Sequence, residues 1–469
     1  MNDKNLRLFD NSHFWHPYTQ MKFYRKIKPP IIVRGEGNYL YDTKGKKYLD
    51  AISSVWCITF GHSHPHIKRK IKKQIDKLQH CTTLGLANIP SIILSKKLSE
   101  ISGFQKVFLS EDGAEAVEVA MKLSFSFFHR RNCSTWNNPE YKSRFLSVEG
   151  AYHGDTIGCS SLGRSIFSEE WSPLYIKNYF GPSINCYRCS YNKGTNYKDR
   201  LCSLQCLEGM LKIMKKNTDQ ICAVFLEGGI QGAGGMCPYP DVYLREVYKE
   251  SKKSGILFVL DEVASGFGRA LSNYNRCSTW NNFFVYQEEK IKPDIVCIGK
   301  GLSGGYIPIS ATLTDNKIYN LFYGEQFALK HFFYGHTFSG NPLLSTSAIA
   351  NIELFQKGNL LKNLESRVGY FWKKAESLYN TGIVGDVRGR GLMMGIELVK
   401  NPDRKESFPV KELAGWRICL SMLKKGVLLR PLGDIITVVP PLTITEAEID
   451  YIFDNLYSTI IAFRKKKKI

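Results

Sequence analysis

Apolar runs of four or five residues alternate along this chain with longer segments in which apolar positions recur at helical spacing. The runs at 106–109, 144–148, 223–226, 257–260 and 294–298 are too short for helices and read as strands. Between them lie helical stretches such as 114–124. The alternation predicts an α/β fold with a mainly parallel central sheet. Several runs end at polar or glycine-rich turns: Ser110 to Gly113, Tyr152 to Asp155, Glu227 to Gly229, Asp261-Glu262 and Lys300-Gly301. Ligands of open α/β sheets sit off the carboxyl ends of the strands, so these turns mark the expected site.

The two ends of the chain differ in character from the middle. Arg388–Glu397 and Gly426–Arg430 predict short antiparallel strands joined by turns. We therefore expect a large domain over 61–339 and a smaller α/β domain built from 1–60 and 340–469. No periodic repeat is present. The hexapeptide Cys-Ser-Thr-Trp-Asn-Asn occurs twice, at 133–138 and 277–282. The connection that carries the second copy, within 270–292, gives no clue to a role.

With 469 residues and 53.4 kDa, the chain can bury a substantial core. No apolar stretch approaches the roughly 18–20 residues needed to cross a bilayer. Residues 1–10 lack the apolar core of a secretory signal, so a cytoplasmic protein with no membrane association is expected. The net charge of +21 is spread along the chain, which argues against a nucleic-acid partner. The one dense run, Arg464–Lys468, reads as a solvated tail. Thirteen cysteines in a chain this long, with no export signal, do not read as a disulfide framework.

Two residues carry the chemistry. Lys300 follows one strand, and Asp261 ends another 39 residues upstream. An amine and a carboxylate so placed suit the two ends of one pyridine ring, the amine as Schiff-base former and the carboxylate as partner of the ring nitrogen. That is the skeleton of a pyridoxal phosphate (PLP) enzyme. Gly113 and Ala114 open a helix directly after a strand, where free amides and the helix dipole favour a phosphate. Tyr152 offers a ring for stacking, Glu227 a strand-end carboxylate, and Arg430 a guanidinium for a substrate carboxylate. His62, His64 and His66 precede a helix start and lack a matching ligand set. Cys186, Cys189, Cys202 and Cys206 are a fair set for zinc or an iron–sulfur cluster, with reduced free thiols as the alternative.

Four ordered motifs carry a resemblance: Leu260–Arg269, Ile298–Gly305, Tyr152–Thr156 and His336–Pro342. Through them, residues from about 14 to 456 resemble the class III (fold type I) PLP-dependent aminotransferases. Trp15–Thr19, Ser53–Trp56, Gln231–Met236 and Leu429–Gly433 narrow the likeness. They point to members that use S-adenosylmethionine to aminate 8-amino-7-oxononanoate in biotin biosynthesis. The alternative within the family is lysine or a taurine-like ω-amine as donor.

The resemblance implies that Lys300 is the Schiff-base lysine and proton shuttle, and that Asp261 pairs with the pyridinium nitrogen. It implies that Tyr152 stacks on the ring, that Gly113 and Ala114 hold the phosphate, and that Thr337 arrives from the neighbouring subunit of a homodimer. Tyr18, also cast in catalysis, would line the substrate pocket with Trp56 and Gly335. Arg430 would bind the oxo-acid carboxylate, and Asp155, Glu227 and Arg269 would form the polar surround. Ala114 replaces a hydroxyl residue of many relatives, and Val55 a second tryptophan of some. A polynucleotide-binding or metal-sensing protein is the rival from another class. It would show salt-dependent binding and no yellow chromophore.

Overall fold

The computed structural model describes residues 2–132, 142–164, 169–189, 191, 202–272, 282–358 and 360–467. The repeated hexapeptides lie outside these residues, apart from Asn282.

The N-terminal part contributes β1 (Ile32–Glu36), β2 (Tyr39–Asp42) and β3 (Lys47–Asp50), paired as an antiparallel meander. Helix α1 (Pro65–Ile75) follows, with Pro65 in its first turn and His64 as its N-cap. The central sheet is built from β4 (Lys106–Ser110), β5 (Arg144–Val148), β6 (Tyr179–Gly181), β7 (Ile221–Glu227), β8 (Leu257–Asp261), β9 (Ile295–Ile298) and β10 (Ser310–Thr314). Its strand order is β4-β10-β9-β8-β7-β5-β6, and only β10 runs against its neighbours. All five strands expected from the apolar runs are present, with ends moved by a residue or two.

Every residue of β7, β8 and β9 is buried, the pattern of strands covered on both faces. Alternate side chains choose between two layers. Ala223, Phe225, Leu257 and Val259 pack under helix α2 (Gly113–Asn132) with its Ala116, Val117 and Ala120. Val224, Leu226, Phe258 and Leu260 face the larger core on the other side.

Strand β10 reads Ser-Ala-Thr-Leu-Thr and carries no apolar run, although all five residues are buried. Its hydroxyls are partnered inside: Thr312 donates to the carbonyl of Ala116 at 2.7 Å, and Ser310 to that of Asp112 at 2.5 Å. Both carbonyls belong to the start of α2, so this polar strand fixes where that helix begins.

After helix α3 (Pro342–Lys357), the chain forms β11 (Val384–Arg390), β12 (Met393–Leu398), β13 (Val427–Leu428), β14 (Arg430–Leu432) and β15 (Ile435–Val438). The sheet β11-β12-β15-β14 is antiparallel, as expected. The expectation for β13 was wrong: it pairs in parallel with β3, becoming the fourth strand of the N-terminal sheet. The basic run at the C-terminus also differs from its reading. Arg464–Lys467 is the last turn of helix α4 (Glu446–Lys467), with Lys467 ion-paired to Glu412 at 2.6 Å and Arg464 bonded to the carbonyl of Thr381. Cations are favoured at that end of the helix dipole.

The hairpin β11–β12 holds a buried ion cluster. Arg388 contacts Asp386 at 3.1 Å and Glu397 at 2.6 Å, and its Nε donates to the carbonyl of Gly235. Removing the guanidinium would take the central cation from two buried carboxylates, leaving Glu397 only its contact with Arg188 at 2.7 Å. Arg388→Ala is therefore expected to lower the unfolding free energy by about 3–5 kcal/mol, measured by denaturant titration.

Candidate active site

Parallel pairing sets Glu227 at the end of β7 directly beside Asp261 at the end of β8. Lys300 lies two residues beyond β9, the next strand of the sheet. Three ionisable groups thus converge at one sheet edge from sequence positions far apart. Lys300 has a left-handed backbone, φ 40°, a conformation that a non-glycine residue adopts only when its surroundings enforce it.

Asp261 is held on two sides. One carboxylate oxygen accepts the amide of Val263 at 3.0 Å, and the other meets Nδ1 of buried His153 at 2.8 Å. His153 Nε2 continues to the hydroxyl of Ser147 at 3.4 Å. Burial lowers the affinity of His153 for its proton, but the Asp261 and Glu227 carboxylates outweigh it and the pKa is raised. Glu227 accepts the amides of Tyr152 (3.2 Å) and Gly232 (2.9 Å). Burial nevertheless pushes its pKa up to about 7. The Lys300 pKa is lowered because burial, opposed by Asp261 and Glu227, disfavours the ammonium. The Trp56 ring centroid lies 5.2 Å from the lysine nitrogen.

At the mouth, Asp155 joins two phenols. Tyr152 donates to one carboxylate oxygen at 2.9 Å, and Tyr18 donates to the other. Burial and the Asp155 charge push the Tyr18 pKa up to about 12. The helix-start end of the pocket depends on glycine: a Cβ on Gly113 would lie 2.6 Å from a methyl of Val263. Trp56, Gly113, Ala114, Tyr152, Asp155, Glu227, Asp261 and Lys300 line one cavity of about 730 Å3.

Other expected residues lie elsewhere. Arg430 opens β14 and faces Tyr18 closely enough for its charge to favour the phenolate. Arg269 is buried outside the cavity lining, donating to the carbonyls of Pro440 (2.9 Å) and Ile58 (2.7 Å); within this chain it braces the site from behind. Gly335 and Thr337 are exposed and do not line the cavity of their own chain. His62 pairs with Asp50, His64 caps α1, and His66 pairs with Glu353. Each histidine therefore has a structural partner.

Of the four expected thiols, Cys206 is buried, Cys202 exposed, and Cys186 and Cys189 intermediate. Burial and then the Cys186, Cys202 and Cys189 thiols push the Cys206 pKa up to about 11. Among the described residues, no three of these sulfurs come within 4.8 Å of one another. Glu111, Glu115 and His336 are the group that meets that spacing.

Sequence reading missed His153, Val263 and Cys57 in the lining. His153 had a signal, sitting beside Tyr152 at a strand end. Val263 and Cys57 had none, since their roles depend on which loop folds against which.

Residues 23–460 match the family model described as aminotransferase class-III. The chain belongs to that family. This aminotransferase is 47% identical over 471 residues to the adenosylmethionine-8-amino-7-oxononanoate aminotransferase of Methanocaldococcus jannaschii, covering 98% of each chain. The crystal structure of an enzyme of that name from the same organism superposes with a TM-score of 0.88 at 45% identity, covering 98% of this chain and 99% of that one. An ω-transaminase from Pseudomonas jessenii in complex with PMP superposes with a TM-score of 0.87 at 26% identity, covering 98% of both.

The residues fit PLP, the cofactor of the family. A partly buried lysine with a weakened hold on its proton, an anchored carboxylate, a tyrosine ring and a glycine-opened helix start surround one cavity. One titration and one substitution test the site. Below about pH 7, Glu227 is neutral and no longer supports the Lys300 ammonium; above it, the carboxylate charge does. In Glu227→Gln that support is missing, so the Lys300 pKa falls, read from the pH dependence of amine acylation in apoenzyme. Lys300→Ala is expected to lower turnover by a factor on the order of 10^4 and to leave no borohydride-trapped adduct.

Proposed function

We propose that this aminotransferase moves the amino group of S-adenosylmethionine to 8-amino-7-oxononanoate, giving 7,8-diaminononanoate for biotin synthesis in the cytoplasm. The observation that carries the reading is the full-length 47% identity to an enzyme of that name, against 26% to an ω-transaminase of equally similar fold. The described residues contain no helix long and apolar enough to cross a membrane.

PLP, when bound, supplies the electron sink that lets an amino-bearing carbon lose a proton. The protein supplies the rest. Lys300, its hold on a proton weakened by burial, is suited to accept that proton and return it one position along. Asp261 is held rigidly by His153 and the Val263 amide, as a partner for a ring nitrogen must be. Tyr152 lines the same cavity as Lys300, oriented through its amide by Glu227 and through its hydroxyl by Asp155. Tyr18 shares Asp155, which ties the N-terminal segment to the pocket mouth, and Trp56 closes the wall over the lysine. Arg430, near Tyr18, is placed to receive a carboxylate.

We assign Thr337 and Gly335 to the site of a partner subunit in a homodimer. Supporting this, they sit among exposed Phe327, Leu329, Phe333 and Phe338, a concentration of apolar surface unusual for a free face. The domain limits 1–60, 61–339 and 340–469 belong to the same proposal.

With 8-amino-7-oxononanoate as acceptor, S-adenosylmethionine is expected to yield diamine product at least tenfold faster than lysine or taurine. A reversed order in that screen, read by mass spectrometry, would reassign the donor. A structural zinc or iron–sulfur cluster on Cys186, Cys189, Cys202 and Cys206 is a separate proposal, supported by thiol spacing in sequence. Elemental analysis is expected to find about one zinc, or one cluster's iron, per chain; metal-free protein of full stability ends that idea.

A further inference from the structure

Ser53, Ser54, Val55 and Trp56 have φ values of 48°, 45°, 65° and 70°. Four consecutive residues, none a glycine, therefore wind left-handed. L-residues visit this region as single positions, and a β-branched valine there is an outlier. The turn is closed by its own backbone, with the Trp56 amide on the carbonyl of Ile52 (2.8 Å) and the Cys57 amide on that of Ser53 (3.0 Å). Those bonds would be available to a relaxed right-handed turn as well, so they do not select the hand.

The selection comes from outside the turn. Asp50, wholly buried at the end of β3, accepts the amide of Ser54 at 3.0 Å and its hydroxyl at 2.7 Å. The same carboxylate meets Nε2 of His62 at 2.9 Å. His62 is itself pinned: its amide and carbonyl bridge to Gly37, and a Cβ on Gly35 would lie 2.8 Å from its side chain. On the other side, the Ser53 hydroxyl donates to the carbonyl of Val439 at 2.7 Å. The result is a chain of contacts from β1 through His62 and Asp50 to a strained turn. At its far end, Trp56 reaches the Lys300 amine and packs against Gly232, where a Cβ would sit 2.9 Å from the indole.

We propose that Asp50 and His62 are positioning residues: they hold the left-handed turn that aims Trp56 across the substrate side of Lys300. Neither lines the cavity. The inference rests on the reading of Trp56 as a substrate-facing wall. Strained backbone of this kind persists where surrounding structure over-determines it, and Asp50 is the group that does so here. Through Trp56 the turn sets the shape of the acceptor pocket, while Asp50 and His62 stay away from the reacting atoms.

The test uses holoenzyme and three variants. Glycine accepts left-handed φ without strain, so Val55→Gly is expected to raise the melting temperature by a few degrees. This readout does not depend on any substrate assignment. Asp50→Ala is expected to raise the acceptor KM at least tenfold with kcat changed less than about threefold, because Lys300 and Asp261 lie on other strands. The double variant Asp50→Ala/Val55→Gly is expected to recover most of that KM, since the glycine lets the turn keep its hand without the carboxylate. Kinetics are followed with whichever donor supports turnover, so failure of the donor assignment leaves the result readable. If Asp50→Ala does not fold, Ser54→Ala, which removes one of the two clamping bonds, is expected to give a smaller KM rise. A lower melting temperature for Val55→Gly, an unchanged KM on loss of the Asp50 contacts, or a double variant no better than Asp50→Ala would overturn the proposal.

Discussion

Taking one amine and two carboxylates out of water at the ends of three adjacent strands is the constraint that organises this molecule. Asp261 and Glu227, both buried, and the partly buried Lys300 are each costly to shelter alone, and none is left alone. Asp261 has the His153 ring and a backbone amide, Glu227 has two amides, and the lysine has both carboxylates within electrostatic reach. The parallel register that sets Asp261 beside Glu227 is therefore a requirement of the chemistry as well as of the sheet. A slip of one residue between the two strands would turn one carboxylate to the opposite face and part the pair.

Much of this was legible in sequence because buried parallel strands write themselves as uninterrupted apolar runs. Strands β7, β8 and β9 are of that kind, and each is followed by the polar residue that matters. The apolar runs alone put the lysine and the aspartate at the carboxyl ends of their strands. Strand β10 was missed for the opposite reason: its Ser and Thr hydroxyls find partners only in the tertiary fold, so its burial leaves no trace in hydrophobicity. The parallel pairing of β13 with β3 was equally hidden, since a two-residue strand carries no directional signal.

Site residues divide along the same line. Those at strand ends, such as Tyr152, Glu227 and Asp261, announce themselves by position. Arg269 sits in a strong motif, yet the fold turns its guanidinium toward two main-chain carbonyls rather than the cavity. Gly335 and Thr337 lie in an equally ordered motif and remain on the surface of their own chain. Motif membership identifies a residue as part of the machinery; only geometry tells which face of the machinery it serves.

The pairing of β13 with β3 joins Val427 to Leu49, residues separated by most of the chain. During synthesis, the outer edge of β3 must wait unpaired until Val427 and Leu428 leave the ribosome. Contacts of such long range also slow closure of the native topology. A ribosome that stalls late would release a protein with its catalytic sheet already encoded but its opening segment unfinished.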